Sequence, residues 1–259
     1  MDAMIIAGGV PQPGEPLYEN TQGKPKAILD VCGKPMVQWV VDALEQAETI
    51  DKVVLIGLTA GDGLVSAKIQ EYIPDQGSML ANVQAGMAKV REINPKASHV
   101  LIASADIPGV RPEMVDWIVR NAMKTNLDVY YSVIERSVME ARYPESKRSY
   151  TRLKDMEVCG GDMNVARVIL GTDKDSLWEK LIQSRKNVFK QASLLGWDTL
   201  FLLLTRQITL ERAVQKVTKR LNLTGQAVNC PFAEVGMDVD KPFQLEIMTR
   251  DLCQQPAAG

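Results

Sequence analysis

Ala7-Gly8-Gly9 closes the apolar run from Ala3 to Ala7, and glycines after a strand leave no Cβ to keep a ligand phosphate or base away from the backbone N–H groups. A plain tight turn has the same composition, so this stretch needs company. Asp106 stands in Ala103-Ser104-Ala105-Asp106-Ile107-Pro108, at the end of a second apolar run. A carboxylate exposed there by the turn at Pro108 is placed to hold a hard cation such as Mg²⁺; a turn or helix-capping aspartate is the alternative. Gly77-Ser78-Met79-Leu80-Ala81-Asn82 precedes a helical pattern, and the side chain of Asn82 is of the type that caps helices. Two other nucleotide-binding patterns are excluded. There is no GxGxxG, and Gly33-Lys34-Pro35 puts proline where a P-loop has its cation-binding Ser or Thr. The one histidine, His99, lies inside an apolar run, and no nucleophile–base–carboxylate set is suggested.

The elements that must position these residues follow from periodicity. Ala3 to Ala7, Lys52 to Leu58 and His99 to Ala103 are short runs of buried-parallel-strand type. Met36, Val37, Val40, Val41 and Leu44 recur at helical spacing after Pro35, as do Val83, Met87 and Val90 within Ala81 to Ile93. The alternation continues through a helix at Pro112 to Met123 and a strand at Val129 to Ile134. It predicts an α/β class, a Rossmann-like three-layer α/β/α arrangement with a mostly parallel sheet. Glu135 to Ser149 reads as a loop, and Thr151 to Val158 as a hairpin about Lys154-Asp155 leading to Gly160-Gly161. Ser176 to Leu221 reads as a helical insertion or lid, with Thr209 capping its last helix. Ala233 to Val239 reads as a strand, and Pro242 as a helix start. One domain over 1–259 is expected.

Composition narrows the classes. Thirty Lys and Arg against 32 Asp and Glu leave a net charge of −2 with no dense basic stripe, which argues against a nucleic-acid partner. No apolar run approaches the ~20 residues of a membrane span, and the N-terminus has no signal-peptide pattern. Cys32, Cys159, Cys230 and Cys253 form no CxxC pair, so reduced thiols in a cytoplasm are expected.

The segment Lys24-Pro25-Lys26-Ala27-Ile28-Leu29-Asp30-Val31-Cys32-Gly33-Lys34-Pro35-Met36 closely resembles the signature of the GT-A-like nucleotidyltransferase superfamily. That superfamily includes the sugar-phosphate nucleotidylyltransferases, the MobA-like molybdenum-cofactor nucleotidyltransferases and the methylerythritol-phosphate cytidylyltransferases. The resemblance implies a nucleotide site at Ala7, Gly8, Gly9, Lys26, Gly77, Ser78 and Asn82, with Lys26 steadying the triphosphate and Asn82 either reading a base edge or capping its helix. It implies metal ligands at Asp106 and at Asp240 of Gly236-Met237-Asp238-Val239-Asp240-Lys241-Pro242, with Asp238 in reserve or either residue acting as a helix cap. Gly160-Gly161-Asp162-Met163-Asn164 resembles the acceptor-lining segment. Arg152, Lys154, Gly161 and Asp162 are then the acceptor residues, with Arg148 a further cation for an acceptor phosphate. A charged hairpin face is the other reading of the basic residues. The chain departs from the family at Val10-Pro11-Gln12-Pro13-Gly14-Glu15, where Gly-x-Gly-x-Arg is common. The implied activity is Mg²⁺-dependent transfer of a nucleotide from an NTP to a small phosphorylated acceptor, by default a sugar 1-phosphate, with release of pyrophosphate. A GT-A-type glycosyltransferase and a non-catalytic NTP-binding protein are the alternatives.

Overall fold

The computed structural model describes residues 1–172, 202–203 and 205–254. Its strands are β1 (Asp2–Ile6), β2 (Asp30–Val31), β3 (Lys34–Pro35), β4 (Val53–Ile56), β5 (Ile69–Ile73), β6 (His99–Ser104), β7 (Val129–Glu135), β8 (Thr151–Arg152), β9 (Glu157–Gly160), β10 (Met163–Arg167) and β11 (Gly225–Asn229). The helices are α1 (Tyr18–Thr21), α2 (Met36–Gln46), α3 (Met79–Ile93), α4 (Pro112–Ala122), α5 (Arg136–Arg142), α6 (Leu210–Leu221) and α7 (Pro242–Gln254).

Nine strands form one sheet in the order β5-β4-β1-β6-β10-β7-β9-β8, with β11 paired to β7. From β5 to β6 every pairing is parallel, and the carboxyl ends of β1, β4, β5 and β6 therefore lie along one rim. Beyond β6 the sheet turns antiparallel through β10, β7, β9 and β8, and only β11 returns parallel to β7. The inner parallel strands β1, β4 and β6 are mostly apolar because helices cover both faces, whereas the edge strand β5 is not. On one face, α2 buries Met36, Val37, Val40, Val41 and Leu44, α4 buries Met114, Val115, Ile118 and Val119, and α7 adds Ile247, Met248 and Leu252. On the other, α3 buries Val83, Met87 and Val90 against Met4, Val54 and Ile56.

Local chemistry fixes several element ends. Ser78 caps α3 by accepting the N–H of Ala81 at 3.2 Å, so the cap is not Asn82. Thr209 caps α6 by accepting from Arg212 N at 3.3 Å, as its position predicts. Two expectations are corrected. Within Glu135 to Ser149 the chain forms α5, whose only buried residue is Met139. Without an apolar stripe its helicity is hidden from periodicity, and an Arg136–Glu140 pair at 2.8 Å supports it instead. Ala233 to Val239 is not a strand: Ala233–Gly236 is a 3-10 turn, and the burial that mimics a strand comes from packing against β7 and α5, with Asp162 N donating to Val235 O and Val239 N to Asp106 O. Of the proposed helical insertion, α6 is present, and the stretch 176–201 lies outside the described residues. Among the described residues no helix is long and apolar enough to cross a membrane.

The expectation of four reduced thiols is also corrected. Cys32, in the turn between β2 and β3, is disulfide-bonded to Cys253 in the last turn of α7, with the Cα atoms 5.3 Å apart. A sequence separation of 221 residues hid the pairing. Cys159 and Cys230 are free and buried.

Candidate functional site

The rim formed by the carboxyl ends of the parallel strands carries the residues singled out above. β1 ends at Ile6, and Ala7 N donates to Ile56 O at 2.7 Å, so the Gly8-Gly9 segment leaves the sheet between β4 and β6. Gly9 O accepts Lys26 N at 2.9 Å, and a Cβ on Gly9 would lie 3.5 Å from Lys26 Cε. The lysine stem therefore runs along the glycine backbone, and its ammonium emerges at the end of β6. There Lys26 Nζ meets Asp106 Oδ2 at 2.5 Å and Asp240 Oδ1 at 2.6 Å. Asp240 reaches this point because Val239 N is bonded to Asp106 O at 2.9 Å, which docks the chain before α7 onto the β6 turn. Asp240 N is held in turn by Gln244 Oε1 at 3.0 Å.

Burial works against the charge on Lys26, but Asp106 and Asp240 outweigh it and hold its pKa above the ordinary lysine value. The ammonium thus occupies the position between two carboxylates where a cation is most favoured. Asp106 is 7% exposed, and its Oδ1 is buried with no hydrogen-bond partner among the described residues. A buried, unpaired carboxylate oxygen costs about 1–3 kcal/mol or more until a ligand satisfies it. Among the described residues no three Asp, Glu, His or Cys side chains cluster as a metal cage. Two carboxylates are nevertheless the donor set that suits Mg²⁺, which takes one or two from protein and the rest from substrate phosphates and water. Asp106 and Asp240 fit that ion.

Asn82 is buried at the end of β5, where its Oδ1 accepts Gln76 N at 2.7 Å and its Nδ2 donates to Asp75 Oδ1 at 2.7 Å. Asp75 also accepts Gly77 N at 3.2 Å. A Cβ on Gly8 would fall 2.3 Å from Asp75 Oδ1, so this carboxylate stands directly over the glycine segment. Sequence reasoning missed Asp75. The signal was its place just after a strand end, but β5, Ile-Gln-Glu-Tyr-Ile, lacks the apolar run that marks the other parallel strands.

On the other side of Asp106, Asp162 is tied in by its backbone, with Ser104 N donating to its carbonyl at 2.9 Å, while Gly161 N donates to Ser132 O at 2.8 Å. Arg148 Nη1 pairs with Asp238, two residues before Asp240, and both side chains are largely buried. Burial pushes the Cys159 thiol up, and the adjacent Arg148 guanidinium opposes that rise. Arg152 and Lys154 are placed differently. Both are exposed on the β8–β9 hairpin, where Arg152 Nε pairs with Glu157 at 3.1 Å and the Lys154 backbone N–H is bonded to Ile208 O at 2.9 Å.

The chain as a whole is similar to known proteins. A solved structure described as a hypothetical transferase from Thermus thermophilus superposes with a TM-score of 0.81 and 30% identity, covering 95% of this chain and all of the other. The bifunctional protein GlmU of Thermoanaerobacter pseudethanolicus is 28% identical over 113 residues, 43% of this chain and 24% of that protein. A 3-deoxy-manno-octulosonate cytidylyltransferase of Aliivibrio salmonicida is 26% identical over 109 residues, 40% of this chain and 42% of that protein. The chain thus spans less than half the length of these curated relatives. Residues 3–177, which include the glycine segment, Lys26, Asp75, Asn82 and Asp106, match one family as a unit, and the chain belongs to the MobA-like NTP transferase domain family.

Proposed function

We propose that the protein is a nucleotidyltransferase that moves a nucleotide from an NTP to a small phosphorylated acceptor, releasing pyrophosphate. The observation that carries this reading is the Lys26 ammonium held between Asp106 and Asp240 against the Gly8-Gly9 segment. A phosphate acceptor carries about −1.5 to −2 charges at neutral pH and attacks the α-phosphorus without a protein nucleophile. The barrier is mutual repulsion: at ~4 Å and an effective dielectric near 20, each pair of unit charges costs about 4 kcal/mol. When bound to Asp106 and Asp240, Mg²⁺ would neutralise phosphate oxygens and polarise the phosphorus. Lys26, released from its two carboxylates, stabilises the charge that builds on the departing pyrophosphate. The Gly8 and Gly9 N–H groups receive phosphate oxygens, and Asn82 with Asp75 holds the base-side wall. The rate then comes from alignment and charge complementarity. A sugar 1-phosphate is the default acceptor.

The test is thermal stabilisation by ATP, CTP, GTP, UTP and dTTP with and without Mg²⁺, followed by pyrophosphate release with sugar phosphates. A ligand at 100 times its dissociation constant adds about 2.7 kcal/mol, which a melt resolves. One triphosphate is expected to act, and only with Mg²⁺. Stabilisation by a nucleotide-sugar and by no triphosphate would replace this reading with a glycosyltransferase.

A further inference from the structure

The two carboxylates that meet Lys26 are held by different means. The Asp106 side chain is 10% exposed, enclosed at the end of β6, whereas that of Asp240 is 55% exposed. Among the described residues the Asp240 carboxylate is bonded only to the Lys26 ammonium. A cation that takes both carboxylates displaces that ammonium, and Asp240 is then aimed by its backbone. Two bonds fix that backbone: Val239 N donates to Asp106 O at 2.9 Å, and Asp240 N donates to Gln244 Oε1 at 3.0 Å. Gln244 is 4% exposed and lies on the buried face of α7 with Ile247 and Met248. Its own N–H donates to Lys241 O at 3.0 Å, so one residue grips both of those that lead into the helix. A Glu or Gln in the first turn that reaches back to an N–H ahead of its helix is half of a capping box, and Glu suits the positive end of the helix dipole better. The amide used here supplies the acceptor without setting a third negative charge beside two carboxylates that share one ammonium.

We propose that Gln244 is a positioning residue for the cation site. It touches neither ion nor nucleotide; its buried amide holds the Asp240 backbone so that the exposed carboxylate stays opposite Asp106 once Lys26 has turned to phosphate. This rests on the nucleotidyl-transfer reading and adds to it a division of labour: Asp106 is the ligand that the fold encloses, and Asp240 is the ligand that must be held from behind. Loss of a group that orients a metal ligand typically costs about 10–100-fold in metal affinity or activity.

The experiment uses Mn²⁺ as the probe. Its binding without nucleotide is read from the EPR signal of the free ion, beside thermal melts and pyrophosphate release. Gln244→Met removes the acceptor at nearly constant length and is expected to raise the Mn²⁺ Kd about tenfold or more and to lower kcat by a similar factor, with KM for the acceptor little changed. Gln244→Asn keeps the amide one carbon too short; it serves where Gln244→Met does not fold and is expected to show the same rise. Gln244→Glu retains the acceptor oxygen and is expected to keep the Mn²⁺ affinity of wild type while binding triphosphate more weakly, because it adds a negative charge to the site. Thr209→Ala, which removes the side-chain cap of α6, is expected to lower the melting temperature with the Mn²⁺ Kd unchanged. A Gln244→Met protein that melts lower but binds Mn²⁺ as wild type does has lost a helix cap only, and overturns the proposal. Mn²⁺ affinity in Gln244→Glu as weak as in Gln244→Met overturns it too, as does no Mn²⁺ binding in wild type. Gln244-dependent Mn²⁺ binding in a protein that transfers no nucleotide would sink the transferase reading and leave this assignment standing, whereas turnover and Mn²⁺ binding at wild-type levels in Gln244→Met would do the reverse.

Discussion

Lys26 sets one ammonium against two carboxylates, so it competes with any divalent cation for the same oxygens. Replacing it with methionine removes the competitor and, on the proposed reading, the phosphate ligand together. In Lys26→Met the affinity for Mn²⁺ alone is expected to rise about tenfold, while affinity for the metal–triphosphate complex falls by at least that factor. Metal titrations with and without nucleotide check this, and a parallel loss of both would show that Lys26 only supports the fold. Asp106→Asn is expected to lower kcat by about 10²–10³ while leaving the melting temperature within a few degrees, as for loss of a group that stabilises developing charge. Activity and thermal melts measured together decide it. A third residue reports on burial. Cys230 is fully buried, and burial pushes its thiol up to about 11 from the usual 9.0. Below pH 9 both folded and unfolded thiols are protonated and the full stability is present. Above it the unfolded thiol ionises first, so stability is lost as the pH climbs towards 11, by about 2–3 kcal/mol. Denaturant melts of Cys230→Ala across that range are expected to show a shallower alkaline decline than wild type.

At the scale of elements, the glycine segment keeps its shape because the residue that follows β4 has no side chain. Gly57 has φ +100°, and a Cβ there would lie 2.2 Å from Gly8 N. Gly57→Ala is expected to cost roughly 2–4 kcal/mol from the left-handed backbone and the collision, and to weaken triphosphate binding by displacing Gly8. Chemical denaturation and nucleotide titration of that variant are the check. β1, β4, β6, α2 and α4 were legible because buried parallel strands and half-buried helices advertise their periods in Val, Ile, Leu and Met. The missed or mistaken elements lack that pattern for identifiable reasons. β5 interleaves Gln70 and Glu71 with its apolar residues, α5 is held by ion pairs, and the buried turn at Ala233–Gly236 has the composition of a strand. The site divides in the same way. Lys26, Asp106 and Asp240 come from motif and strand-end position. Asp75 depends on seeing β5, and the Arg148–Asp238 contact joins segments 90 residues apart that no local spacing connects.

The whole molecule is closed by the Cys32–Cys253 bond, which ties the turn six residues after Lys26 to the far end of the helix that follows Asp240. Thiol titration is expected to find no reactive cysteine in the native protein, two after unfolding without reductant, and four after unfolding with it, since Cys159 and Cys230 are buried and free. The bond also makes a lasso of nearly the entire chain. Any single proteolytic cut between residues 33 and 252 opens the loop without parting its pieces, so a nicked molecule runs as one band on a denaturing gel and resolves into two only after reduction. Cleavage inside this ring therefore converts one polypeptide into two covalently joined chains, with Lys26 on the first and Asp240 on the second wherever the cut falls between them, and the two halves of the site stay on one molecule after the backbone is broken.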